Sequence, residues 1–368
     1  MRRRLFKVLK TLREFELNAL LLFNPPNITY FSGLKLDYSA ILVTEEEVHA
    51  IVHVLEVKRA EKAPLISEVH AYSSYPVESE YIEAVNLEDA VGKVVSQLGL
   101  NSSKIGFEGS SLPVQRYERL KKILPKTEFR DSTKLIYNLR MVKDEDEISL
   151  IKMACEASVE GVLAALNSIK PGVTEMDVAA EALRVMAKKG GIGDVYPIIA
   201  SGPRSAMPHA RASDKKIHDG DFVVIDLCPQ YQDYYADITR TVIVGRATST
   251  QRRIYQSVLE AQLAAVEKIR PGVKCRDVDE EARKIIRDQG YGKYFIHSTG
   301  HGLGLEIHEP PRLAGNVEEE LRSGMVITIE PGIYIPNVGG VRIEDTILVT
   351  GGEEPQILTK LSKEILEI

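Results

Sequence analysis

Four carboxylates and one histidine stand where they could do chemistry together. Asp226 closes the apolar run GDFVVID, and Glu330 closes SGMVITIE. Asp237 leads the segment DITRT, and Glu344 leads EDT. His301 lies in HSTGHGLGLEIHEPPR, where glycines at 300, 302 and 304 let the backbone approach closely. A lone acid at a strand end is ordinarily a cap or an ion-pair partner. Acids that recur at matched points of two hairpins are harder to reach by accident. A buried carboxylate is costly unless something compensates it, and a metal ion is one such partner. Four carboxylates and an imidazole make a hard, oxygen-rich donor set, which suits Mn or Co, admits Zn, and does not suit a thiolate metal. Two divalent ions would balance the four charges. Held about 3.5–4 Å apart, they can bridge a hydroxide, lower its pKa and polarise a carbonyl. The chemistry expected is hydrolysis.

A duplication positions these residues. Segment 161–190 aligns with 261–290 without a gap, and 12 of the 30 positions are identical, including Pro171-Gly172-Val173 against Pro271-Gly272-Val273. Such self-similarity marks a repeated structural unit. A pseudo-twofold between the repeats would bring two hairpins together, one carrying Asp226 and Asp237, the other Glu330 and Glu344. The two aspartates are expected to face each other across the first hairpin. Upstream, Asp144 with Glu147 resembles a helix N-cap box. Ile148, Ile151, Cys155, Val159, Val162 and Leu166 follow at helical spacing, which makes Cys155 a core residue. The first third of the chain alternates strand-like segments (19–23, 40–44, 48–54, 105–108) with helix-like ones (82–98, 114–124), and NPPNITYFSG reads as a turn. The fold class is therefore mixed α/β, or α+β, in two domains: 1–130 and a catalytic domain 131–368.

Composition narrows the partners. The 368 residues are 44% hydrophobic and 27% charged, as in a soluble globular protein with a core. A net charge of -6 argues against nucleic acid and membrane surfaces as partners. The basic start reads as an amphipathic helix followed by a strand, not as a signal peptide. No apolar run is long enough to span a bilayer. Three cysteines, 155, 228 and 275, are too few and too scattered for a disulfide framework, so a reducing, cytoplasmic setting is expected. His49, His53, His70 and His218 have no motif around them and read as structural or surface residues. HGLGLEIH is not the zincin helix HExxH, because its glycines oppose a helix.

The segments IIASGPRSAMPHA, VVIDLCPQYQDYYADITRT, HSTGHGLGLEIHE, ITIEPGIY and GVRIEDT resemble, as a set, the pita-bread catalytic domain of methionine aminopeptidase, aminopeptidase P and prolidase. PPNITYFSG and its surroundings resemble the creatinase-type N-terminal domain of prolidase and aminopeptidase P, which methionine aminopeptidase lacks. The resemblance implies that Asp226 chelates one metal, that Asp237 and Glu344 bridge both, and that His301 and Glu330 hold the other. It implies Glu330 as proton shuttle, His308 as stabiliser of the scissile carbonyl, His209 on a mobile substrate loop and His297 in the substrate pocket. Thr239 would orient Asp237, and Arg342 would support Glu344 beside the substrate. A homodimer is implied as well.

Arg312, in HEPPR, matches a prolidase arginine placed for the free carboxylate of a dipeptide, a task that suits a guanidinium fork. The expected activity is thus cleavage of Xaa-Pro dipeptides. The alternatives are aminopeptidase P-type cleavage of Xaa-Pro-Yaa peptides and a non-catalytic peptide-binding role on the same scaffold. Two positions depart from the pattern. Pro203 stands where close prolidases usually have histidine, and Cys228 where the family usually has glycine; a packed thiol is expected there.

Overall fold

The computed structural model describes residues 2–78 and 82–368. It divides into two compact units, Met1–Arg140 and Met141–Ile368. The helix Thr133–Met141 ends at this division, so the first unit runs ten residues past the boundary read from sequence.

Among the described residues of the first unit, seven strands form one mixed sheet. Its spatial order is Ile82–Ala84, Glu68–Tyr72, Val48–His53, Ser39–Thr44, Ala19–Leu22, Lys104–Phe107 and Glu128–Asp131. Ser39–Thr44 runs antiparallel to both neighbours, and the other pairings are parallel. The helix Leu87–Gln97 covers one face, packing Leu87, Val91 and Val94 with Leu21, Leu42 and Ile51. Two expectations fail here. The helix expected over 82–98 begins only at Leu87, because the Asn86 side chain accepts from Asp89 N and caps it; residues 82–84 extend the sheet instead. NPPNITYFSG is not a turn but the helix Pro25–Ser32. Prolines at its first positions need no amide donor there, and Gly33 closes it with φ 78°.

The second unit shows the duplication as two matching halves. In the first, the helices Glu145–Ser168 and Glu175–Lys188 cover a sheet ordered Ile238–Ile243, Phe222–Leu227, Ile198–Ser201. Val162, Ala165, Val178 and Ala182 meet Ile199, Val223 and Ile225 there. In the second, the helices Ser249–Glu267 and Cys275–Asp288 cover a five-stranded sheet that includes Gly300–Gly302, Val326–Ile329 and Asp345–Leu348. Val258, Ala261, Val278 and Ala282 meet Ile327, Ile329 and Ile347. Asp144 and Glu147 form the expected reciprocal cap, and Cys155 is fully buried. The repeated glycines Gly172 and Gly272 both take left-handed φ, 93° and 86°, which explains why each repeat spells Pro-Gly-Val.

The halves join along the two segments that carry the shared acids. Glu344 N donates to Thr239 O at 3.0 Å. Thr346 Oγ1 accepts from Asp237 N at 3.1 Å and donates to Asp237 O at 2.7 Å. Thr241 Oγ1 donates to Arg342 O at 2.9 Å. Arg240 and Asp345 form a buried ion pair at 2.8 Å beside this seam. Residues 237–241 and 342–346 are thereby held side by side, each half supplying one acid to the middle.

Candidate metal centre

Asp226 is the fifth residue of the strand Phe222–Leu227, opposite Thr239 on Ile238–Ile243. Asp237 precedes that return strand, so the two aspartates do not pair across the hairpin as expected. The Cys228 thiol lies between them, 3.0 Å from Asp237 Oδ1 and 3.4 Å from Asp226 Oδ1. It is half-buried and faces the acids, which corrects the expectation of a packed thiol. Glu330 follows Val326–Ile329, and Glu344 precedes Asp345–Leu348, so both sit where paired strands end. Pairing stops at these points, and the carboxylates can turn inwards.

His301 completes the cluster. Its Nδ1 lies 3.0 Å from the carbonyl of Gly302, which can only accept, so Nδ1 carries a proton. Nε2 then faces Glu330 Oε1 at 3.3 Å and Asp237 Oδ2 at 3.7 Å. Donor atoms of Asp237, His301 and Glu344 lie within 4.8 Å of one another, and so do those of Asp226, Cys228 and Asp237. The five expected residues therefore converge.

The electrostatics show what such a cluster needs. Burial, then the Asp226 charge, pushes the Asp237 carboxyl well above the carboxylate range. Burial, then Asp237, does the same to Glu344. Burial, the largest single influence, would raise Glu330 too, but the His301 hydrogen bond and the charges of His301, His297 and Arg342 together outweigh it and hold Glu330 down to about 2. His301 is lifted to about 9 against its own burial by that bond and by Glu330 and Asp237. Glu344 Oε1 is buried without a hydrogen-bond partner. Buried acids that repel one another and an orphaned carboxylate oxygen are what divalent cations would satisfy, so these residues fit a metal pair.

The remaining expected residues line one cavity of about 1380 Å³ that opens on the cluster. His209, His308 and Arg312 are exposed in its wall. The His308 ring stands edge-on to His301 with centroids 4.4 Å apart. Arg312 lies directly opposite His301 between the strands Glu309–Leu313 and Gly300–Gly302. Pro203 is exposed in the short helical turn Gly202–Ala206.

Two supporting roles are exchanged relative to expectation. Thr239 Oγ1 donates to Glu344 Oε2 at 2.6 Å, not to Asp237. Arg342 donates to Asp226 at 2.5 Å, to Thr239 Oγ1 at 3.0 Å and to the Tyr334 hydroxyl at 2.8 Å, so its hydrogen bonds bypass Glu344. His297 lines the cavity, but its Nε2 is held at 3.0 Å by Tyr334 and its Nδ1 at 2.8 Å by Ser298 O. Sequence reasoning missed Tyr334, although it ends the quoted segment ITIEPGIY. It also missed Asp194, which the Tyr235 hydroxyl bonds in the cavity wall. Neither has a spacing that would mark it.

Residues 149–351 match metallopeptidase family M24, and residues 4–142 match the creatinase/prolidase N-terminal domain. A relative from Pyrococcus horikoshii, named Xaa-Pro dipeptidase, is 42% identical over 367 residues, 98% of this chain and 97% of its own. The crystal structure of the prolidase from Pyrococcus horikoshii OT3 superposes with a TM-score of 0.89 at 41% identity, over 99% of this chain and 100% of that one. An X-Pro aminopeptidase from Thermotoga maritima superposes with a TM-score of 0.87 at 32% identity, over 99% of each chain.

Proposed function

The chain belongs to metallopeptidase family M24, and from that premise we propose that it hydrolyses Xaa-Pro dipeptides with two divalent ions held by Asp226, Asp237, His301, Glu330 and Glu344. Mn or Co is favoured over Zn by the four oxygen donors. When bound, such ions would lower the pKa of the attacking water and polarise the scissile carbonyl. Glu330 takes a proton from that water at its carboxylate and passes it to the departing prolyl nitrogen. His308, beside His301 in the cavity wall, donates to the carbonyl oxygen as charge develops there.

The observation that carries the dipeptide reading is the register of Arg312 opposite His301. Directly opposed residues have Cβ atoms about 4.5–5.5 Å apart. A guanidinium anchored there reaches a carboxylate one residue beyond the scissile bond. A longer peptide would have an amide at that point and leave the guanidinium without its anion. The same reading includes a homodimer, on the family resemblance, and a cytoplasmic setting, on the three free cysteines. No helix among the described residues is long and apolar enough to cross a membrane.

The test strips the chain of metal, restores Mn or Co, and compares a Xaa-Pro dipeptide with the matching Xaa-Pro-Yaa tripeptide. Metal-dependent cleavage of the dipeptide is expected, with the tripeptide a poor substrate. Arg312→Ala should raise the dipeptide KM at least tenfold and narrow the gap between the two. Faster cleavage of the tripeptide would overturn the dipeptidase reading in favour of an aminopeptidase. Cleavage of neither would favour a binding role.

A further inference from the structure

A second cluster of side chains able to ligate a metal lies in the first unit. The strands Val48–His53 and Glu68–Tyr72 run parallel, with His49 opposite Glu68 and Ile51 opposite His70. Strand alternation puts His49, Glu68 and His70 on one face. His49 Nδ1 is 3.3 Å from His70 Nε2 and 3.4 Å from Glu68 Oε2, and the third side of the triangle, His70 Nε2 to Glu68 Oε2, is 3.7 Å. A tetrahedral ion about 2.0–2.1 Å from its nitrogen and oxygen ligands spaces them roughly 3.3–3.4 Å apart. Two sides of the triangle have that length, and the third is slightly longer.

A neutral His49 can serve only one of the two carboxylates beside it. A second carboxylate, Glu47 Oε2, lies 3.4 Å from the other ring nitrogen of His49. A neutral imidazole has one N–H to offer. If Nδ1 carries it towards His70 or Glu68, a bare Nε2 meets Glu47. If Nε2 carries it towards Glu47, Nδ1 can accept from His70 Nε2, and Glu68 is left without a donor from His49. Protonating both nitrogens would serve both acids, but it would put a full charge on a fully buried ring with a second imidazole beside it. His49 Nε2 is in fact buried without a hydrogen-bond partner. An ion on Nδ1 removes the conflict: it takes that lone pair, joins Glu68 to both imidazoles, and leaves the proton on Nε2, 3.4 Å from Glu47 Oε2. Metal-bound histidines commonly point their outer N–H at a carboxylate in this way.

We propose that His49 Nδ1, His70 Nε2 and Glu68 Oε2 form a structural zinc site that ties the strands Val48–His53 and Glu68–Tyr72 together, with Glu47 steadying His49. Two imidazoles and one carboxylate form a nitrogen-rich set, which separates this site from the oxygen-rich pair in the second unit and places zinc above Mn or Co by intrinsic affinity. Glu68 is 56% exposed, so the fourth position opens to water and the ion can enter from solvent.

The test uses the full chain, stripped by chelator and titrated with Zn²⁺ alone by calorimetry. It compares wild type, His70→Gln, Glu68→Gln and Glu47→Gln, with circular dichroism melts to establish that each is folded. His70→Gln should take up one zinc fewer per chain than wild type. Glu68→Gln changes an exposed side chain and so keeps the fold; it should weaken one zinc at least tenfold while leaving peptidase activity with Mn or Co unchanged. Glu47→Gln should weaken the same ion roughly tenfold to a hundredfold. The same zinc count and affinity in wild type and Glu68→Gln would overturn the site, whatever His70→Gln does to folding. So would a wild-type chain whose zinc uptake is lost entirely on replacing Asp237 and Glu344.

Discussion

At the scale of single residues, the telling side chain is Arg342. It is 3% exposed, and its guanidinium is shared among Asp226, Thr239 and Tyr334. Through Thr239 it reaches Glu344, and through Tyr334 it reaches His297. It therefore positions three candidate ligand or pocket groups without facing the reacting atoms as a free donor. Arg342→Lys keeps the charge but loses the fork, and lysine cannot satisfy Asp226, Thr239 and Tyr334 at once. We expect metal affinity and kcat both to fall about 10–100-fold, with KM little changed. Calorimetric metal titration beside steady-state kinetics checks this; a Lys variant with wild-type metal affinity would show that the fork does not position the ligands. The acids that converge in the structure were legible in the sequence because burying an acid at the end of an apolar run has few explanations. The supporting contacts were not. Whether Thr239 serves Asp237 or Glu344 depends on which segment lies across the seam between the halves, and no local pattern encodes that.

At the scale of elements, each half uses a buried helix carboxylate to fix the loop that feeds the site. Glu175 begins the helix Glu175–Lys188 and is fully buried. It accepts from Ser201 N and Oγ, from Arg204 Nε, and from Ser213 N and Oγ. The segment between these anchors carries His209. In the other half, Asp279 on Cys275–Asp288 accepts from Thr299 N and Oγ1 and pairs with Arg283, whose other donors bind Phe295 O and His297 O. That segment leads directly into His301. Glu175→Gln places an amide donor among groups that are all donors. We expect a loss of about 2–3 kcal/mol in urea unfolding, the size of hydrogen bonds to a charged group. The dipeptide KM should rise severalfold with metal content unchanged, and an unaltered KM would mean that the anchor does not control the His209 segment. Helix periodicity and caps made the long helices readable in advance, Glu145–Ser168 above all. Where a short segment lacked periodicity, as at 25–32 and 82–86, composition misled: prolines that open a helix look like prolines that prevent one.

At the scale of the whole chain, the internal repeat forecast the two halves of the second unit, because an unbroken alignment of helix and turn can repeat only if the packing repeats. The division from the first unit was less sharply legible, since the helix Thr133–Met141 has no composition break before it. The same global view yields a linkage between metal, protons and stability. Without metal, Asp237 and Glu344 bind their protons more tightly in the folded chain than in the unfolded one. They add stability below the ordinary carboxylate range, and that contribution is lost as the pH rises through their raised pKa values. His301 acts in the same direction: its contribution is complete below 6.5 and is lost as the pH climbs through about 9. Glu330 acts oppositely, but its contribution is complete above 4.5 and fades only on descent towards about 2, so it is constant at neutral pH. The metal-free Tm should therefore fall as the pH rises from 6.5 to about 9. Metal binding requires the deprotonated ligands and stabilises only the folded chain, so loaded protein should escape this fall and the Tm gap should widen with pH. Calorimetry of stripped and Mn-loaded protein, both as Glu68→Gln to set aside the strand-bridging zinc, measures that gap. A gap that narrowed as the pH rose would mean that the buried acids do not exchange protons for metal, and the five-residue ligand set would have to be abandoned.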